Sequence, residues 1–264
     1  MVRLASASRG PRSGGGQVTS VDRNRAVGTR AMILAAGLGL RMRPLTLTTP
    51  KTLVPVGGKR LIDYAFDRLK AGGVAEAVVN VHHHADQIEA WAAAKTAPRI
   101  VVSDERGALL DTGGGITKAL PRLGSDPFFV LNSDSFWLDG VRPALDRLRE
   151  AWDDGRMESL LLMAPVAAAV GYDGKGDFHM DPDGRLTRRS TVGLAPFVYA
   201  GCFVVSPRLF ADAPQGAFSM NLLWDRAAAA GRLYGLRHDG LWIHVGTPES
   251  IAYAERAMKD GLRQ

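Results

Sequence analysis

Two cations, Arg41 and Lys51, follow closely on the glycine-bearing string Ala35-Ala36-Gly37-Leu38-Gly39-Leu40. Arg41 offers a planar fork of donors and Lys51 a compact point charge, two ways of meeting phosphate oxygens. Small residues and paired glycines let the backbone come close to a ligand, and successive N–H groups in such a loop form a concavity for anions. The apolar run Met32-Ile33-Leu34 ahead of the loop reads as a buried strand, and Pro44, Pro50 and Pro55 stiffen the chain on the far side of the glycines. One strand, one glycine turn and two cations in so short a span read as a polyphosphate site. It matches neither common phosphate fingerprint. No Gly-Lys-Ser/Thr stands at P-loop spacing, and Met42 occupies the place of the third glycine of a dinucleotide motif.

Further stretches carry candidate chemistry. The apolar run 128–131 leads into Asn132-Ser133-Asp134, and a carboxylate at the end of a buried strand is where open α/β sheets place their chemistry. Thr112-Gly113-Gly114-Gly115 precedes an apolar helical pattern, so its amides could face a ligand as well as start the helix, or form a plain glycine turn. Gly176-Asp177-Phe178-His179-Met180 and Asp183-Gly184-Arg185-Leu186 read as a hairpin around an Asp-Gly turn, an antiparallel ribbon suited to form a lip over a substrate. Arg188 and Arg189 beyond it could meet a phosphate or stand in solvent. Gly201, in the middle of an apolar strand pattern, marks close approach by another group. His82-His83-His84 suggests metal, but neighbours on an extended segment point to opposite faces and cannot all converge on one ion.

Residues 34–56 resemble, at nearly every defined position, the signature LAAGxGxRxxPLTxxxPKxLxPV of the sugar-nucleotide pyrophosphorylases. The resemblance implies a nucleotidyltransferase that joins a nucleoside triphosphate to a sugar 1-phosphate, giving an NDP-sugar and pyrophosphate. It implies catalytic roles for Arg41, Lys51 and Asp134, the last as ligand of an essential Mg2+, and nucleotide contacts from Leu34, Ala36, Gly37 and Gly39. Residues 110–114 are similar to the family's L-[GE]-T-[AG]-G segment, which implies base contacts from Thr112, Gly113 and Gly114, with Glu105 facing the base edge. Gly176, Asp177, Arg189 and Gly201 fall where the family holds the sugar phosphate. Residues 241–249 resemble W-x-D-x-G-T-P-E, with His244 in place of the aspartate that is normally the second metal ligand; Ser133 replaces the usual glycine before Asp134. An imidazole weakens a two-carboxylate Mg2+ site and suits Mn2+ better. The compact length and a GDFxxDxDGRLxRR pattern resemble the N-acetylmuramate-1-phosphate uridylyltransferase branch, which implies UTP, N-acetylmuramic acid 1-phosphate and peptidoglycan recycling. Mannose-1-phosphate guanylyltransferase is the alternative within the family. A catalytically weak sugar-nucleotide-binding regulatory protein, suggested by Ser133 and His244, is the alternative outside it.

Alternating elements are needed to hold these residues. Apolar strand patterns are expected at residues 74–81, 100–102, 159–164, 197–205, 233–236 and 241–245, and helices at 59–70, 85–95 and 141–152. Ser219 is expected to cap a helix reaching Ala230, and Pro248 to start the closing helix. This alternation argues for a three-layer αβα domain with a mostly parallel mixed sheet and a small antiparallel substrate lip. The resemblance implies the Rossmann-like nucleotide-diphospho-sugar transferase fold, without the hexapeptide-repeat domain of longer relatives.

The chain divides into a Ser/Gly/Arg-rich extension, residues 1–29, expected to be disordered, and one expected nucleotidyltransferase domain, residues 30–264. The net charge of +6 is concentrated in residues 1–30, whose six arginines face only Asp22, leaving +1 for the rest. The domain therefore has no charge excess to mark it as a nucleic-acid binder. The extension has no apolar h-region and is not a secretory signal; its composition is compatible with a transit peptide and equally with a start assigned upstream of the domain. No apolar run reaches membrane-crossing length. The single cysteine, Cys202, reads as a buried thiol, excludes an internal disulfide and fits a reducing compartment. A cytoplasmic enzyme with small-molecule partners is expected, with neither nucleic acid nor membrane among them.

Overall fold

Side chains along residues 30–34 alternate between two cores: Met32 packs with Val78, Val130 and Ile116, whereas Ile33 packs with Val79, Leu131 and Phe66. Period-two alternation with both faces apolar is what a strand covered by helices on each side requires. The computed structural model describes residues 26–261, so the disorder expected for the N-terminal extension falls, up to position 25, outside the described residues.

The elements in chain order are β1 (Arg30–Leu34), β2 (Pro55–Val56), β3 (Lys59–Arg60), α1 (Leu61–Ala71), β4 (Glu76–Val81), α2 (Ala85–Ala93), β5 (Arg99–Asp104) and α3 (Asp111–Leu123). They continue with β6 (Phe128–Asn132), β7 (Ser135–Leu138), α4 (Ala144–Ala151), β8 (Ser159–Pro165), β9 (Phe178–Met180), β10 (Leu186–Arg188), β11 (Phe197–Val205), α5 (Asn221–Ala229), β12 (Leu233–Arg237), β13 (Leu241–His244) and α6 (Pro248–Gly261). The main sheet runs β10-β9-β11-β6-β1-β4-β5, with β8 also paired to β11 and β12 beyond it. β1, β4, β5 and β6 are mutually parallel, while β11 runs against β6, β8 and β9, and β10 against β9. Only β11 and β10 oppose the common direction. The expected mixed, mostly parallel α/β sheet is the observed one, with β9 and β10 as the antiparallel lip.

α1, α2 and α4 cover one face over Phe66, Trp91 and Leu148; α3 and α5 cover the other over Ile116 and Trp224. A third cluster, including Met42, Phe136, Ile243 and Ala254, joins the loop after β1 to the two-stranded β7–β13 ribbon and α6. No local pattern announces that ribbon, because β7 starts directly after Asp134 and finds its partner only at β13. Two further boundaries differ from expectation. Lys59 and Arg60 pair with β2 rather than opening α1, and α4 begins after Pro143, whose ring restricts the residues before it, leaving Val141 in solvent.

β11 carries an irregularity that shapes the centre of the sheet. Its register against β8 shifts between Tyr199 and Phe203, and Gly201 in between has φ +82°. A Cβ there would overlap Ser135 Oγ, so the close approach read from this glycine is made by β7. Cys202, next along the strand, is fully buried opposite Leu131, and burial pushes its thiol pKa far up. Gly201→Ala should destabilise the fold by about 1–3 kcal/mol through positive-φ strain and this overlap. Thermal unfolding should show a melting point several degrees lower; an unchanged one would contradict the packing described.

Candidate active site

β1 delivers the chain into the glycine loop, and neighbouring strands hold it there. Ala35 N donates to Asn80 Oδ1 at 2.7 Å, and Ser133 Oγ donates to Leu34 O at 2.6 Å. The serine that replaces the usual glycine thus ties the ends of β1 and β6 together. Gly39 has φ +62°, and a Cβ on it would press on Thr46 and Lys51. The loop beyond it is clamped through its carbonyls. His83 Nε2 meets Thr46 O at 3.2 Å, His84 Nε2 meets Leu47 O at 3.1 Å, and Gln87 Nε2 donates to Thr48 O at 2.7 Å. His82 Nδ1 meets Glu105 O at 2.7 Å. Each histidine is a donor to a carbonyl, and the triplet is a loop anchor rather than a metal site.

The clamp sets Lys51 on the short 3-10 turn Lys51–Leu53, where its Nζ lies 3.0 Å from Asp134 Oδ2. Burial alone would raise the Asp134 carboxyl, but Lys51, His244 and Arg41 together outweigh it and hold the group below the usual carboxylate range. His244 reaches this point through the β7–β13 ribbon, which sets it opposite Ser135, with Val245 N donating to Asp134 O at 3.2 Å. Burial lowers the His244 pKa, the Asp134 charge opposing it and Lys51 and Arg41 adding to it, so a neutral imidazole is favoured at pH 7. Arg41 is exposed and shares a cleft with His244, Tyr172 and Thr247. The four residues Arg41, Lys51, Asp134 and His244 therefore meet in one place.

A cavity of about 380 Å³ opens from the Lys51–Asp134 pair. Of the residues expected to contact nucleotide, Leu34, Ala36, Gly37 and Thr112 line it. Gly39, Gly113, Gly114 and Glu105 do not. The helix α3 starts at Asp111, so Thr112-Gly113-Gly114-Gly115 lies inside it rather than ahead of it. The Gly113 and Gly114 amides both donate to Phe218 O, at 2.9 and 3.2 Å. Side chains at these positions would overlap the Phe218 ring and Gly216 O. The glycines thus admit the segment around residues 216–218 against the helix, and their amides are engaged there. Glu105 is 1% exposed and accepts from Asn80 Nδ2 at 2.9 Å and Leu110 N at 3.2 Å. It faces Asn80, and Asn80 faces the cavity. Because Glu105 accepts and Ala35 N donates, the Asn80 amide has only one satisfying orientation.

A second cavity, about 250 Å³, adjoins the first and shares Leu34, Asp111, Thr112 and Asn132 with it. Of the expected sugar-phosphate residues only Asp177 lines it, its Oδ2 accepting from Tyr199 N at 2.9 Å. Arg189 instead donates to the carbonyls of Gly176, Ser190, Thr191 and Gly193 at 2.9–3.2 Å, knitting the loop after β10. Gly176 has φ +73° and a Cβ would overlap Ala195 O, so it serves the same turn. The cavity is completed by Arg188, Tyr199, Ser219, Asn221 and Trp224. Trp224 and Tyr199 form an edge-to-face pair with centroids 4.9 Å apart, a contact whose spacing along the chain no local pattern could reveal.

Asp134 and His244 offer one carboxylate and one imidazole, and among the described residues no third His, Cys, Asp or Glu joins them. This donor set fits a divalent ion only if a polyphosphate and water supply the remaining oxygens, which is how Mg2+ is commonly held at phosphate sites.

A strand-fed glycine loop with two cations, facing a carboxylate across two joined cavities, is the layout of a nucleotide-sugar enzyme. A sequence model of the nucleotidyl transferase family matches residues 30–185, and the chain belongs to that family as a sugar-1-phosphate nucleotidyltransferase. It is 47% identical over 234 residues to the N-acetylmuramate alpha-1-phosphate uridylyltransferase of Caulobacter vibrioides, covering 87% of this chain and 97% of that one. Identity is 34% over 221 residues to the enzyme of the same name from Neisseria meningitidis serogroup B, covering 83% and 93%. The fold superposes on a solved apo-UDP-glucose pyrophosphorylase with a TM-score of 0.72 at 16% identity, covering 89% and 99%. No helix among the described residues is long and apolar enough to cross a membrane.

His83→Ala removes one loop anchor worth roughly 0.5–1.5 kcal/mol. The expected result is a rise in KM for the nucleoside triphosphate of about 2- to 10-fold with little change in kcat. An unaltered KM would show that the clamp does not shape the loop.

Proposed function

We propose that the enzyme transfers the uridylyl group of UTP to N-acetylmuramic acid α-1-phosphate, with release of pyrophosphate, in cytoplasmic peptidoglycan recycling. The observation that carries this reading is the junction of two cavities beside the Lys51–Asp134 pair, one sized for a nucleotide and one for a sugar phosphate. The names of the two uridylyltransferase relatives support the choice of base and sugar.

In this reading an oxygen of the sugar phosphate attacks the α-phosphorus of UTP, a new P–O bond forms, and the bond to pyrophosphate breaks. The attacking oxygen is already anionic, so no proton has to be removed. The difficulty is the meeting of two anions, and catalysis is positioning plus charge stabilisation. Amides of residues 37–40 cradle the triphosphate, Lys51 offsets charge near the reacting phosphorus, and Arg41 holds the leaving pyrophosphate. Asp134, with His244 beside it, holds the divalent ion together with phosphate oxygens. A bound ion would supply electrostatic stabilisation of the phosphate charge. The imidazole makes Mn2+ at least as suitable as Mg2+.

Lys51→Ala or Asp134→Ala should each remove about 2–4 kcal/mol of transition-state stabilisation, the range for losing one preorganised electrostatic contact. Turnover within twofold of the parent would refute the assignment. The reading itself is tested by pyrophosphate release from the full chain. UTP, GTP, dTTP, CTP and ATP would be paired with N-acetylmuramic acid, mannose and glucose 1-phosphates, under Mg2+ and then Mn2+. Release confined to UTP with the muramyl sugar is expected. Release from GTP with mannose 1-phosphate would overturn it.

A further inference from the structure

The second cavity holds a cation that the reaction chemistry does not require. Among the described residues lining it, Arg188 is the only Lys, Arg or His, while Asp111 and Asp177 line it too. The Arg188 guanidinium is steered from one side by α5: Nε donates to Asp225 Oδ1, and Nη2 to Asn221 Oδ1 at 3.1 Å. Its central carbon stands 4.8 Å from the centre of the Phe178 ring. Nη1 has no acceptor among the described residues. A held guanidinium with donors left over is suited to bind a carboxylate.

The inference rests on the muramyl reading above. A neutral hexose or hexosamine 1-phosphate has one anionic group, the phosphate, which belongs at the Lys51 end of the site. N-acetylmuramic acid 1-phosphate has a second, the carboxylate of its 3-O-lactyl ether. A cavity lined by two aspartates repels that carboxylate unless a cation faces it. Arg189 does not line this cavity, and its Nε and Nη1 are engaged by loop carbonyls. We propose that Arg188 receives the lactyl carboxylate and thereby selects the acidic muramyl sugar over its neutral analogues.

The Arg188 side chain is 33% exposed, so solvent screening limits the effect. One charge-assisted contact of this kind corresponds to a discrimination of about 10- to 100-fold. The test measures kcat/KM for three sugars at saturating UTP: N-acetylmuramic acid 1-phosphate, its lactyl amide, and N-acetylglucosamine 1-phosphate. Parent, Arg188→Gln and Arg188→Lys enzymes are compared. The parent should prefer the free acid to the amide by about 10- to 100-fold. Arg188→Gln should bring the two within about threefold, through KM rather than kcat, and Arg188→Lys should retain part of the preference. A preference that survives Arg188→Gln, or an equal loss on all three sugars, would overturn the proposal while leaving the muramyl reading intact. A parent enzyme inactive on the muramyl sugar but active on N-acetylglucosamine 1-phosphate would refute that reading and the Arg188 role together.

Discussion

The contact between Lys51 and Asp134 closes the loop after β1 onto the turn after the neighbouring strand β6. One partner rides on a loop fed by β1, and the other lies between β6 and β7. The lysine side chain is only 11% exposed, so its charge needs a partner, and in the free protein Asp134 is that partner. Everything around the pair serves to keep it in register. Ser133 bonds Leu34, His83, His84 and Gln87 hold the carbonyls of residues 46–48, and β13 brings His244 to Asp134. A polyphosphate entering beside Lys51 must share a cation already neutralised by a carboxylate. A divalent ion on Asp134 would release the lysine for the phosphates, which couples the two binding events electrostatically.

Much of the remaining charge and glycine content is architectural. Arg189 organises a loop, Arg106 gathers Asp86, Glu89 and Asp104 at the surface between α2 and β5, and Arg208 bonds Asp154 beside carbonyls of residues 154 and 157. The three consecutive glycines of α3 lower its helix propensity. Gly113 and Gly114 give in return a surface flat enough for the segment around Phe218 to lie on, and Gly115 leaves room for Glu105 and Asn80.

The glycine loop and Asp134 were legible because each follows a strand, and Arg41 and Lys51 because they lie in the loop that the first strand feeds. The sheet strands were legible from continuous apolar runs. What the sequence concealed was which polar groups face outward into the cavities and which face the protein. Glu105 and Arg189 carry charge in the right neighbourhood, yet their partners are Asn80 and loop carbonyls. Arg188, one residue away, ends β10 and lines the cavity, whereas Arg189 already belongs to the loop beyond it. The strand at 241–244 was legible, but its pairing with β7 and the Tyr199–Trp224 contact depend on distant partners.

Cys202 lies one residue beyond the strained turn at Gly201, in the middle of the sheet and sealed from solvent. As the only thiol in the chain, it can meet a soluble reagent only when β11 parts from its neighbours. Its rate of labelling by an aromatic disulfide would then report the opening of the central sheet, amide by amide exchange being unnecessary. Any ligand that binds only the closed sheet would slow that opening by mass action. The molecule thus carries its own clock for the cohesion of the central sheet.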